Sequence, residues 1–502
     1  MRSGEAALSF PERLRQLADA APHLPTAAMG AATRSRADFV ARAELMARAL
    51  AARGLGPGDL VTIALGNSVE FMETAAACWF AGATPQQVSA RLPLSELAGI
   101  VALAQSKYVV AEPGLETPVQ RLDPAQLLQE GARAPAFEPR LSPCWKAPTS
   151  GGSTGVPKLI LSGSPAIFSP TMGDLVQISG NDVVLMPGPL YHNGPFIGAA
   201  TSLLLGAFLV LMPRFDAEEV LREIEARRAT WLYLVPTMMS RIIRLPEDVR
   251  AKYDVSSLRK VFHVAAPCPP WVKRAWIEWL GGDAILEGYG TTEGQAGTFI
   301  TGTEWLNKPG SVGRVVYGEI VIRDGEGRQC PPDEPGEVFA RATPGAAPTY
   351  HYRGAQSKFS DDGWEAIGDI GWLDADGYLF LSDRRRDLIL VGGSNVFPAE
   401  VEAALEEFPG VQSCAVIGLP DEDLGERVHA IIQADARIDL EALQAHLAAR
   451  LVRYKLPRSF EIVDHALRDD AGKVRRSQLR EERVEAQAKA QRSAENSAKP
   501  NV

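Results

Sequence analysis

Residues 54–83, GLGPGDLVTIALGNSVEFMETAAACWFAGA, decide the fold class. Within them, residues 60–65 (LVTIAL) read as a buried strand and residues 69–81 as a helix. An amphipathic helix over 41–53 precedes them, ending before Gly54, and a short strand over 108–111 follows. Strand and helix in alternation predict βαβ units and a largely parallel, doubly wound sheet. The pattern returns at 183–186, 208–212, 217–227, 231–235 and 261–264. After about Gly310 short strands at 319–323, 337–341 and 378–381 lie between Gly, Pro and Asp turns, predicting a small β-rich subdomain. A compact α+β pattern then runs to about residue 480. The expected fold is therefore α/β: a large N-terminal domain of doubly wound mixed sheets (1–384) with the β-rich subdomain from about 310, then a mobile small α+β C-terminal domain (385–480). The polar, alanine-rich tail 481–502 is expected to fray.

Length and composition bound the rest. The chain has 502 residues, 46% hydrophobic and 23% charged, which excludes global disorder and allows two to four domains. A formal charge of −10 gives no broad attraction to nucleic acid or anionic membrane, so an anionic ligand must be held by local charges. Cys78, Cys144, Cys268, Cys330 and Cys414 are scattered without a CxxC, indicating neither a disulfide framework nor a zinc site, and a reducing, cytoplasmic location is expected. The N-terminal MRSGEAALSFPERLRQ lacks the apolar region of a secretory signal. Residues 196–212 form an uncharged run of 17, short of the ~20 a spanning helix needs, and Gly206 divides it into a helix-like and a strand-like half. No membrane span is expected.

Four segments carry chemistry. In SGGSTGVPK (150–158), three glycines allow close backbone approach and an anion-binding nest, two hydroxyls add donors, and Lys158 adds a cation. A phosphate chain suits it, although the order is not that of a Walker A loop and a flexible surface loop would also fit. In EGYGTTE (287–293), Tyr289 offers a flat face for a base, Thr292 a hydroxyl, and Glu293 a carboxylate for magnesium. In WEAIGDIGWLDADGYLFLSDRRRD (364–387), Asp369 is placed to accept ribose hydroxyls. In GKVRR (472–476), Lys473 follows a glycine in a polar loop. Each alone has an ordinary reading as a turn or a solvated charge.

Together, in this order, the four resemble the adenylate-forming superfamily of acyl-CoA and aryl-CoA ligases, luciferases and peptide-synthetase adenylation domains. LYHNGP (190–195), VAAPCP (264–269), KPGSVGR (308–314) and LVRYKLPRSFEIV (451–463) extend the resemblance over nearly the whole chain. It implies that Ser150, Gly151, Gly152, Ser153, Thr154, Gly155 and Lys158 close over the β- and γ-phosphates of ATP. Ala266 and Pro267 would lie along the adenine, and Glu287, Gly288 and Tyr289 would complete that pocket, continued by Gly290 and Thr291. Thr292 would meet the α-phosphate, Glu293 would hold Mg2+, and Asp369 would bind ribose with Arg384 nearby. Lys473 would bridge the attacking carboxylate and the α-phosphate. His192 resembles a gate between the acid and pantetheine pockets, and His192, Asn193, Gly194, Val235 and Ala265 fall at the acid site. Arg386 stands at the implied hinge, and Gly392 and Gly393 resemble a loop lining the thiol tunnel. Leu159 and Arg386 depart from the pattern, which usually has glycine at the first and lysine or aspartate at the second.

The function implied is an AMP-forming carboxylic acid–CoA ligase, with ATP, Mg2+ and coenzyme A as cofactors. The SGGSTG form and YHYR (350–353) resemble ligases for bulky, polycyclic steroid-like or terpenoid acids. Two alternatives stay open: an enzyme loading a free carrier protein, and a nucleotide-binding regulator on the same scaffold. The implied partners are a small-molecule carboxylic acid and CoA or a carrier protein, with no nucleic acid; a homodimer is allowed.

Overall fold

The computed structural model describes residues 7–151, 157–357, 359–384, 387–421, 423–434, 438–469 and 472–497. Gly152, Ser153, Thr154, Gly155 and Arg386, named above, lie outside the described residues.

The α/β expectation holds. Strand Leu60–Ala64 is buried along its whole length, and helix Val69–Ala81 follows it, capped by Ser68 and ended by Gly82 at φ 81°. Strands Thr84–Gln87, Leu60–Ala64, Tyr108–Ala111 and Gln120–Leu122 form one parallel sheet. A second, thirteen-stranded sheet has a parallel centre that includes Phe208–Leu211, Val183–Met186, Trp231–Leu234, Lys260–His263 and Ile285–Gly290. The apolar run at 196–212 divides at Gly206 (φ 86°) into helix Asn193–Leu205 and strand Phe208–Leu211. Among the described residues no helix is long and apolar enough to cross a membrane.

The β-rich strands after about residue 310 pack a small core of their own around Ile320, Ile322, Val338, Ala340 and Leu379, and Gly297–Thr301, pairing antiparallel with both Ile285–Gly290 and Ser311–Tyr317, joins them to the large sheet. One expectation is corrected. The tail does not fray at 481: Arg476–Ser497 is one helix. Its Ala, Glu, Gln and Arg residues are strong helix formers, and Arg483 ties it to Glu461 at 2.8 Å while Leu479 and Val484 pack on the C-terminal core.

That core is separate. From Ile389 onward Val391, Val396, Val401, Leu405, Val416, Val428 and Leu443 pack among themselves around a five-stranded sheet.

Candidate active site

The strands Val183–Met186, Trp231–Leu234, Lys260–His263 and Ile285–Gly290 deliver their carboxyl ends to one edge. Ligand crevices of doubly wound sheets lie beyond such ends. The loops and helix starts that follow carry residues 190–194, 235–237, 264–267 and 291–293, so most of the expected site falls along one line.

At one end of this line, His192 precedes helix Asn193–Leu205 and its ring meets Tyr191 at 4.3 Å between centroids. His192 Nε2 and Asn193 Oδ1 are buried without a hydrogen-bond partner. Neighbouring buried polar atoms left unpaired are costly, and a polar guest would satisfy them. Burial, reinforced by the charge of Lys473, lowers the His192 imidazolium to about 4, so the ring is neutral at physiological pH. Gly194 lies under Tyr233, whose hydroxyl oxygen would be 2.6 Å from a β-carbon there. Val235 is buried at the start of helix Pro236–Ile243.

The C-terminal unit reaches this place. Gly472, at φ 74°, stands against Thr237 and Val235: a β-carbon on it would be 2.8 Å from Thr237 Oγ1 and 3.5 Å from Val235 Cγ2. Lys473 follows directly, and its backbone N–H donates to Asp469 Oδ1 at 2.9 Å. Arg468 braces the turn by donating to the Gly472 carbonyl at 3.2 Å and to Glu402 at 3.2 Å. Arg476 closes on Glu402 from the other side at 2.7 Å. Burial would raise the Glu402 carboxyl, but Arg476 and Arg468 outweigh it and keep it ionised.

At the other end, strands Thr149–Gly151 and Pro157–Ser162 form a hairpin in which Ser150 faces Lys158. Lys158 Nζ lies 3.3 Å from Glu293 Oε1 and 3.8 Å from the centre of the Tyr352 ring. The Tyr352 hydroxyl donates to the same Glu293 oxygen at 2.6 Å. Burial alone would raise the Glu293 carboxyl; Tyr352 and Lys158 overcome it and hold it below the ordinary carboxylate value. Thr291 and Thr292 are half-buried in the turn before Glu293, where the Gly294 N–H donates to the Thr291 carbonyl at 3.1 Å. Leu159 is buried among Leu60, Leu97 and Ile100, which explains a large apolar residue after Lys158.

Between the two ends, Ala265 holds φ 81°, a left-handed conformation rare for a residue with a β-carbon. Ala266 and Pro267 continue that turn, half-buried and exposed respectively. A β-carbon at Gly288 would be 3.1 Å from the Phe262 ring and 3.4 Å from Val264, and one at Gly290 3.2 Å from the Tyr317 hydroxyl. The Tyr289 hydroxyl donates to Asp369 Oδ2 at 2.5 Å, and Asp369 pairs across the strands with Arg384. Gly392 and Gly393 form the exposed turn between Ile389–Val391 and Ser394–Val396, both at positive φ.

Glu287 lies deeper than Gly288 and Tyr289. Its carboxylate turns inward and pairs with Lys273 of helix Pro270–Leu280, with His263 Nε2 4.0 Å away. In Ile285–Gly290 the first three residues are all buried, so the Glu287 side chain belongs to the interior. Lys273, Arg468 and Glu402 went unnoticed in sequence, and Tyr352 and Arg476 stood inside YHYR and GKVRR without the roles seen here; Lys146 was missed too, its ammonium lowered by burial to about 8 and lying 5.2 Å from the Trp145 ring. Its one signal was a lysine inside the otherwise uncharged PCWKAP before the glycine loop.

The donor set suits magnesium. Mg2+ takes one or two carboxylates and leaves the rest of its shell to water and phosphate. Glu293 is a single half-buried, ionised carboxylate, and among the described residues no group of three or more His, Cys, Asp or Glu is assembled for another metal.

A doubly wound sheet whose loops bring Lys158 and Glu293 together at one end, and the Gly472–Lys473 turn of a second unit against Thr237 at the other, is the arrangement of an adenylate-forming enzyme. The chain belongs to the AMP-binding enzyme family: that family's model matches residues 14–351 and the AMP-binding enzyme C-terminal domain matches 400–473. It is 32% identical over 489 residues to a feruloyl-CoA synthase of an Amycolatopsis species, covering 94% of this chain and 98% of that one. It superposes on the o-succinylbenzoate CoA synthetase of Bacillus subtilis bound to its acyl-adenylate intermediate, with TM-score 0.80, 26% identity and coverage of 95% and 98%. The same enzyme bound to ATP and magnesium ion gives TM-score 0.79 and 27% identity, covering 93% and 98%.

Proposed function

We propose that this protein is an AMP-forming carboxylic acid–CoA ligase. A carboxylate oxygen attacks the α-phosphorus of ATP and pyrophosphate leaves. The CoA sulfur then attacks the carbonyl carbon of the acyl-adenylate, AMP leaves, and acyl-CoA forms. The observation that carries the reading is the seating of Gly472 against Thr237 and Val235, with the Lys473 charge bearing on His192.

Two anions must meet in the first step. At 4 Å a like-charge pair costs roughly 4 kcal/mol at an effective dielectric of 20. Lys473 would offset that repulsion between the acid and the α-phosphate, and Lys158 would draw in the outer phosphates. Magnesium, held with ATP at Glu293, would neutralise phosphate charge. Asp369, which already accepts from the Tyr289 hydroxyl, would accept ribose hydroxyls as well. Residues 1–384 and 385–480 would be the two moving parts, pivoting near Arg386 so that Gly392 and Gly393 reach the thiol channel in the second step.

The acid is proposed to be a ring-bearing one. Tyr233 packs against Gly194 and Phe262 against Gly288, and the feruloyl and succinylbenzoate relatives are named for aryl acyl groups, whereas others are named for long-chain fatty acids. The polycyclic form of this expectation lost one ground: Tyr350 and Tyr352 of the YHYR strand donate to Glu365 and Glu293 rather than facing an acid.

The test is pyrophosphate release with MgATP over aryl, polycyclic, linear and short acids, followed by mass detection of acyl-CoA or of a loaded carrier protein. Acid-dependent release with an aryl or polycyclic acid, followed by acyl-CoA, supports the reading. No acid-dependent release overturns it, and transfer only to a carrier protein replaces CoA as acceptor.

A further inference from the structure

One short helix touches the C-terminal unit at both ends. At the start of Pro236–Ile243, Thr237 and the preceding Val235 meet Gly472. At its end, Arg244 crosses to the C-terminal unit and donates to three backbone carbonyls: Glu406 at 2.7 Å, Gln412 at 3.1 Å, and Val411. Glu406 is the last residue of helix Pro398–Glu406, where carbonyls lack intrahelical partners and the dipole favours a cation. On its own side the guanidinium lies 5.1 Å from the ring centre of Trp271. Its planar fork is thus aimed across the interface by the N-terminal unit.

The same helix Pro398–Glu406 carries Glu402, which Arg468 grips while also holding the Gly472 carbonyl. A mechanical chain therefore runs from Trp271 through Arg244, helix Pro398–Glu406 and Arg468 to the Gly472–Lys473 turn. Any rotation that withdraws Lys473 must also break the three bonds of Arg244.

We propose that Arg244 is the positioning residue that latches the C-terminal unit in the orientation bringing Lys473 to the acid. It touches no substrate and acts through Lys473. Lysine would keep the charge but cannot span three carbonyls with a planar fork, so Arg244→Lys should hold partially. Arg244→Glu should be worse than Arg244→Ala, because a carboxylate would face helix-end carbonyls.

The test has two arms on the full-length chain. Only the kinetic arm rests on the ligase reading. In the first arm, amide hydrogen exchange follows the peptides carrying 235–239 and 472–476. Both should exchange at least about fivefold faster in Arg244→Ala, faster still in Arg244→Glu and intermediately in Arg244→Lys, with exchange in the 60–81 core unchanged. In the second arm, pyrophosphate release should fall about tenfold or more in Arg244→Ala, while conversion of supplied acyl-adenylate and CoA should stay within about twofold of wild type. Unchanged exchange at both peptides, or equal loss of both half-reactions, overturns the latch. A wild type without acid-dependent pyrophosphate release overturns the ligase reading instead, and the exchange arm alone then decides the latch.

Discussion

Gly472 and Thr237 belong to different units and lie so close that a β-carbon on the glycine would come 2.8 Å from the threonine hydroxyl. Real β-carbons do not approach that near, and at φ 74° the backbone also disfavours one. Gly472→Ala should therefore keep Lys473 from seating. Pyrophosphate release should drop at least about tenfold, and thioester formation from supplied acyl-adenylate should persist. Retained pyrophosphate release would show that the turn seats elsewhere.

Glu293 owes its ionisation to Tyr352 and Lys158, which outweigh burial. Tyr352→Phe removes a donor to the charged form, so the Glu293 carboxyl should titrate higher. The sign follows: a carboxyl held low loses its charge only in acid, and without Tyr352 that loss begins at higher pH. The acid limb of the pH–rate profile for pyrophosphate release should move upward, with more magnesium needed for half-saturation. Glu293→Ala should weaken magnesium dependence outright; an unchanged magnesium titration in that variant would place the metal elsewhere.

His192 and His263 are both lowered to about 4, chiefly by burial. Their neutral forms are the ones the fold accepts, so this part of stability is complete above pH 6.5. It is lost as pH falls from 6.5 towards 4, where the unfolded chain binds protons the folded chain refuses. The urea midpoint should decline over that window. His263→Leu, which removes two unpartnered buried nitrogens, should flatten the decline; an unchanged slope would assign it to other groups.

Ala265 at φ 81° bears strain that glycine would not. Left-handed backbone costs an alanine roughly 1–2 kcal/mol, offset in part by the unfolded-state freedom of glycine. Ala265→Gly should raise unfolding stability by about 0.5–1 kcal/mol, read from the denaturant midpoint. A fall in the midpoint would mean that the alanine methyl packs usefully.

Local pattern made much of this legible. Helix Val69–Ala81 and strands Tyr108–Ala111 and Val183–Met186 have the bounds their apolar periodicity predicts, because burial and capping there are set by neighbours in sequence. The 287–293 segment and the Gly472–Lys473 turn stood out through their order along the chain and the family resemblance it carries, since each alone reads as an ordinary turn. What stayed hidden depends on partners far along the chain. Lys158 and Glu293 are 135 residues apart, and Tyr352 joins them from a third strand. Glu287 has its carboxylate held by Lys273, a partner on another element that no local pattern announces. The tail misled because its polarity suggested solvent, while its helix propensity and the Arg483–Glu461 pair decided.

Lys473 is the centre of the account, and its two half-reactions can be measured apart. Lys473→Ala should reduce single-turnover pyrophosphate release by about 10²–10³, the usual cost of removing a positioned charge-stabilising group. The same variant, given synthetic acyl-adenylate and CoA, should form thioester at close to the wild-type rate. Proportional loss of both half-reactions would contradict a lysine that serves only adenylation, and with it the two-orientation mechanism for this protein.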